Sequence, residues 1–179
     1  LRPVVGAVIR RAWNVRLHGV DVLPSEGGVI LASNHAGLID GPLLALMTPR
    51  PVHALTKQEM LEGKLGPLLR AAGQIRVDRL NPDPGAMRTC LRVLHDGGVV
   101  GVFPEGTRGD GELHRFHHGS AYLALVSGAP VVPVTMIGTR EPGGSTNSLP
   151  PRKAEIDIVF GRPWTTEQMA WPRTREHVL

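Results

Sequence analysis

The chain has 179 residues, 41% of them hydrophobic and 20% charged, which is enough for one domain with a real core and unlike a disordered or collagen-like composition. A formal net charge of +4 and a pI near 10.0 suit an anionic partner, whether nucleic acid, lipid headgroups or a small phosphorylated substrate. Aromatic residues make up only 4%, which argues against a reader of single-stranded nucleic acid, and a single cysteine excludes an internal disulfide or a Cys-clustered zinc site.

In chain order, apolar residues at Val4, Val5, Ala7, Val8, Ile9 and Ala12, with Arg2, Arg10 and Arg11 among them, predict a short amphipathic helix over residues 1–14. Two readings of it are open: a helix packed on the domain edge, or an interfacial helix that sets its basic residues toward anionic lipid. A strand is expected around Val15–Leu17 and a stronger one at Gly28–Ala32, with helical pattern resuming after Asp40. Val52–Leu55 reads as a short strand, and Leu61–Ala72 as helix interrupted by Gly63, Gly66 and Pro67. Ile75–Val77 is a brief strand before the turn-rich Asn81–Gly85. A helix over Gly85–His95 carries Cys90, expected to be an inert, half-buried thiol, and Asp96-Gly97-Gly98 stops it. The strands Val99–Phe103, Val131–Ile137 and Ala154–Phe160, the helix Ser120–Val126 and a closing helix at Thr165–Ala170 complete the series. Alternating strands and helices predict a single α/β domain over residues 15–179, with a mostly parallel or mixed central sheet flanked by helices. The loop Arg140–Arg152 reads either as a rim near a site or as a surface excursion. No apolar run reaches the ~18 residues that cross a bilayer, and no signal-peptide pattern is present. The chain begins at Leu1 rather than Met, so an anchor in a preceding segment is kept open.

Polar residues directly after apolar strands mark the usual site of an α/β sheet. In Ser33-Asn34-His35-Ala36-Gly37-Leu38-Ile39-Asp40, a general base and an orienting carboxylate are one reading of His35 and Asp40. The other is that Asp40, ahead of Gly41-Pro42, caps a helix while His35 fills the loop. Five residues turn a continuous helix through about 500°, leaving the two side chains some 140° apart. They meet only if the intervening turn folds back. Phe103-Pro104-Glu105-Gly106-Thr107-Arg108 follows a buried strand with a Glu and an Arg, the latter suited to a phosphate or a surface salt bridge. Gly73-Gln74-Ile75-Arg76-Val77-Asp78-Arg79 puts Arg76 and Asp78 on one face of a strand, and Val77 and Arg79 on the other.

Taken in order, Asn34-His35-x4-Asp40, Gly73-x-Ile75-x-Val77-x-Arg79, Phe103–Arg108 and the apolar Val131-Val132-Pro133-Val134 resemble the four blocks of the PlsC-type glycerolipid acyltransferases. Between them, Lys57-Gln58-Glu59-Met60 resembles that family's Lys-x-Glu-Leu segment, and Phe116-His117-His118-Gly119-Ser120 its Phe-Lys-Lys-Gly-Ala segment. The resemblance runs from about Leu17 to Phe160 and implies a glycerol-3-phosphate acyltransferase-like fold. By that resemblance His35 is the general base and Asp40 its orienting carboxylate, while Lys57, Arg79, Glu105, Gly106, Thr107 and Arg108 serve the glycerol phosphate of the acceptor. Pro133 belongs to the acyl-donor side and local packing.

The implied reaction moves an acyl group from acyl-CoA or acyl carrier protein to the free hydroxyl of lysophosphatidic acid, giving phosphatidic acid. Glycerol 3-phosphate or another lysophospholipid is the alternative acceptor. No cofactor or metal is required, and backbone N–H groups near Gly37 or Gly106 are the expected oxyanion donors. The implied surroundings are a membrane surface met peripherally on its cytoplasmic face, and no nucleic acid. His114, His117 and His118 invite a metal reading, but they replace polar loop residues of the family pattern. A serine hydrolase is opposed by the lack of a Gly-x-Ser-x-Gly elbow, with Ser120 set in His118-Gly119-Ser120-Ala121-Tyr122. A basic lipid-binding module without catalysis is the rival from another class.

Overall fold

The computed structural model describes residues 2–112, 114 and 116–169. Its elements are α1 (Arg2–Ala12), β1 (Asn14–His18), β2 (Val29–Ser33), α2 (Asp40–Met47), β3 (Val52–Lys57), α3 (Gln58–Glu62) and α4 (Gly66–Ala71). They continue with β4 (Ile75–Val77), α5 (Pro84–His95), β5 (Val99–Val102), α6 (Gly119–Ser127), β6 (Val131–Ile137) and β7 (Glu155–Phe160). The seven strands form one sheet in the order β1-β7-β6-β2-β5-β3-β4. Every neighbouring pair is parallel except β6–β7, so β1 and β7 run against the other five and the sheet is mixed.

Period-two alternation divides the strand residues between two apolar clusters. Val29 and Leu31 of β2 and Val99 of β5 join Ile9 of α1 and Leu43, Leu44 and Met47 of α2 on one face. Ile30, Val100 and Val102 join Ala86, Cys90 and Leu94 of α5 and Leu123 and Ala124 of α6 on the other. Both faces of β2 and β5 are therefore covered, and their near-continuous apolar sequence is what such strands need. The β1–β7 end differs. There Arg16 reaches Asp157 at 2.7 Å and His18 reaches the same carboxylate at 2.6 Å, so one face of this end is polar and wet. The Arg16 guanidinium and the His18 ring hold the Asp157 carboxyl well below the usual carboxylate range.

Most expected elements occur within a residue or two of their expected bounds. The expected Leu61–Ala72 helix is two short ones, α3 starting at Gln58 and α4 ending at Ala71, with the break at Gly63–Leu65. The closing helix does not form. Residues 165–169 are not helical: Trp164 pairs with Val131, Gln168 Nε2 donates to Val126 O at 2.9 Å, and Met169 N donates to Leu125 O at 2.7 Å. The segment satisfies the end of α6 instead of coiling on itself; Ala170 lies outside the described residues. Cys90 is fully buried, and burial pushes its thiol up to about 12, which leaves it unreactive. Pro133 sits inside β6 opposite Ala32, and its carbonyl accepts from Gly161 N–H at 2.8 Å, beyond the last residue of β7. Its N–H-less nitrogen faces the same side as that carbonyl, so the ladder to β2 loses no bond.

Candidate active site

His35, Lys57, Arg79 and Glu105–Arg108 all fall at or just past the carboxyl ends of the parallel strands β2, β3, β4 and β5. Ligands of an open α/β sheet bind at this edge. The fold thus collects at one end of the sheet residues separated by up to 73 positions of sequence.

The turn after β2 folds back. Asp40 Oδ2 accepts from Ala36 N at 2.7 Å and Gly37 N at 2.8 Å, and His35 Nδ1 lies 3.0 Å from it. Asp40 is the first residue of α2 and makes no bond to that helix's own N–H groups; the N-cap position is Ile39. The expectation of a helix cap is corrected accordingly, because two N–H groups of the preceding turn claim the carboxylate first. The carboxylate is 0% exposed and the His35 side chain 20%, so one partner is dry while the other reaches the surface. With Nδ1–H donating to Asp40, the imidazole presents Nε2 as its free acceptor.

Three further contacts fix His35, one on its ring and two on its backbone. Phe103 stacks on it with ring centroids 4.2 Å apart and an interplanar angle of 26°. Glu105 Oε1 accepts from His35 N at 2.8 Å, and His35 O accepts from Gly109 N at 2.9 Å. The loop after β5 therefore clamps the loop after β2 from both sides of one residue. Asn34 adds a side-chain clip to β6, donating to Met136 O at 3.0 Å and accepting from Met136 N at 2.8 Å. Sequence reasoning assigned no site role to Asn34 or Phe103. An amide directly after an apolar strand, and the last aromatic before Pro104-Glu105, were the signals available.

Arg79 Nη1 donates to Gly106 O at 2.9 Å, and Gly106 has φ +68, where an L side chain is strained. A Cβ there would also stand 2.7 Å from the His117 ring. Arg108 Nη1 donates to Thr146 O at 2.9 Å, so the 140–152 loop borders the site. Lys57 closes β3 half-buried and Thr107 is exposed. The N–H groups of Gly37 and Gly106 are both engaged, to Asp40 Oδ2 and Phe103 O, which removes these two glycines themselves as oxyanion donors. His114 approaches Asp110 at 3.4 Å, His117 lies over Gly106, and His118 meets Phe116 edge to face, so the three histidines turn to three different partners.

Residues 14–137 match the family model described as Acyltransferase, more than half of the chain and all the strands of this site. The chain belongs to the acyltransferase family. Among its relatives, a 1-acyl-sn-glycerol-3-phosphate acyltransferase of Bacillus subtilis is 28% identical over 83% of this chain and 73% of its own length. Another of that name from Cocos nucifera is 30% identical over 86% of this chain and 51% of its own length. The crystal structure of the 1-acyl-sn-glycerophosphate acyltransferase PlsC of Thermotoga maritima superposes with a TM-score of 0.71 at 26% identity, over 89% of this chain and 64% of the other. The acyltransferase chain thus spans from about half to three quarters of the length of these relatives.

Proposed function

We propose that this acyltransferase moves a fatty acyl group from an acyl thioester, acyl-CoA or acyl carrier protein, to the free hydroxyl of lysophosphatidic acid. The observation that carries this reading is the buried Asp40 carboxylate on His35 Nδ1, which leaves Nε2 open at the carboxyl edge of the sheet. His35 Nε2 takes the proton of the acceptor hydroxyl as its oxygen attacks the thioester carbonyl, and Asp40 stabilises the imidazolium that forms. The tetrahedral intermediate then collapses, the C–S bond breaks, and the thiolate takes the proton from Nε2. Lys57, Arg79 and Arg108 supply the positive charge for the acceptor phosphate, with Gly106 and Thr107 shaping the loop beneath it. Glu105 contributes by holding the His35 backbone.

The acceptor is a lipid, and the exposed apolar side of α1 supports a peripheral contact with anionic membrane. Val4 and Val8 are 68% and 62% exposed, with Arg10 and Arg11 close by in the last turn of α1. No helix among the described residues is long and apolar enough to cross a membrane.

The test is thiol release from acyl-CoA with lysophosphatidic acid, glycerol 3-phosphate and other lysophospholipids as acceptors. Release dependent on lysophosphatidic acid, and lost in His35→Ala, is the expected result. Absence of acceptor-dependent release from folded protein with either donor, or undiminished release from His35→Ala, overturns the proposal.

A further inference from the structure

Asp40 is completely buried, yet every hydrogen bond it accepts falls on Oδ2. Its Oδ1 is one of three buried side-chain polar atoms without a partner among the described residues. A second is Thr139 Oγ1, 1% exposed, two residues past β6. A buried hydroxyl and a buried carboxylate oxygen are each costly to leave unbonded.

Both residues border Gly37. Its N–H donates to Asp40 Oδ2 at 2.8 Å, and a Cβ built on it would stand 2.9 Å from Thr139 Oγ1 and 2.5 Å from Thr139 O. Thr139 therefore lies against the very turn that presents Asp40 to His35. Neither atom bonds the other, and a carboxylate oxygen and a hydroxyl set beside the same glycine are a polar pair that a single water satisfies.

We propose that Thr139 is a positioning residue of the His35–Asp40 pair, its hydroxyl donating to one bound water that donates in turn to Asp40 Oδ1. This rests on the reading of His35 as the base. With Oδ2 taken by the turn and the imidazole, the link through Oδ1 stops the carboxylate from rotating about its χ2 axis. It also lowers the electron density that Asp40 presents to Nδ1–H. Thr139 does not touch substrate; it acts only through Asp40.

Thr139→Val keeps the shape and removes the hydroxyl, whereas Thr139→Ser keeps the hydroxyl and removes the methyl. In the thiol-release assay the Val variant is expected to lose roughly tenfold in kcat, about one hydrogen bond to a charged group, with KM for the acceptor unchanged. The Ser variant stays near wild type. The second readout needs no activity: titration of the His35 imidazole followed by NMR. A carboxylate with fewer donors holds the imidazolium proton more tightly, so the midpoint moves to higher pH in Val and not in Ser. The other charged group placed on His35 is Glu105, on its N–H, and neither variant alters it. An unmoved midpoint in Thr139→Val, or equal impairment of Val and Ser, overturns the proposal. If the Val variant does not fold, Thr139→Ala against Thr139→Ser decides on the same two outcomes. A midpoint that moves in Val and not in Ser, in a protein whose wild type releases no thiol, fails the proposed reaction alone and leaves the Thr139 contact standing.

Discussion

Glu105 Oε1 accepts the His35 N–H at 2.8 Å, a bond that a neutral amide oxygen can also accept. Glu105→Gln is therefore expected to keep activity within a few-fold. Glu105→Ala strands the part-buried His35 N–H and costs about 1–3 kcal/mol of local order. The loss should appear in kcat, with KM for the acceptor little changed, in the thiol-release assay. A Gln variant as damaged as Ala, with raised KM, would mean instead that the carboxylate charge itself serves the acceptor. The resemblance to the glycerolipid acyltransferases implied that Glu105 serves the acceptor. It did not show the backbone N–H 70 residues away that the carboxylate meets.

At the scale of elements, α5 shows how far local signals reach. Asp83 Oδ1 accepts from Ala86 N at 2.9 Å and Oδ2 from Asp78 N at 3.0 Å, with Pro84 in the first turn. Ala86, Cys90 and Leu94 recur every fourth residue and are the buried face. Asp83→Ala should cost about 1 kcal/mol of stability, read as a lower urea midpoint. These N–H bonds hold the Asp83 carboxyl below its ordinary range. Its contribution is present above the ordinary carboxylate pKa and is lost as pH falls through the depressed folded value, so wild type and Asp83→Ala should converge in acid. Such a helix is legible in the sequence because cap, proline and apolar period all agree within 12 residues. The 165–169 segment was misread because its few polar residues carry a weak helical pattern, while its actual partners, Leu125 and Val126, lie on α6.

Across the whole molecule, α1 has two sides with different fates. Ile9 is buried in the cluster shared with α2, and Arg2 donates to Thr48 O at 2.5 Å and Arg50 O at 3.1 Å, so the helix is tied to the domain. Val4 and Val8 face outward. Deleting the helix would disturb the core; Val4→Asp with Val8→Asp tests the proposed membrane contact without doing so. The double variant is expected to co-float less with anionic vesicles while turning over detergent-dispersed acceptor as wild type does. Equal flotation would take α1 out of the membrane contact.

The identity of the strands and of the helices up to α6, and the order of the four motifs, were set by local sequence, because period, caps and turns act over a few residues. What lay beyond it was every contact that crosses the carboxyl edge of the sheet. The spacing of His35 and Asp40 by itself leaned toward a helix cap over a dyad, since five residues of a continuous helix set the two side chains some 140° apart. Tertiary structure brings the two together: the turn's own N–H groups and the imidazole converge on one carboxylate oxygen. Phe103, Glu105 and Gly109 then fix His35 from a loop that the parallel pairing of β2 with β5 brings alongside.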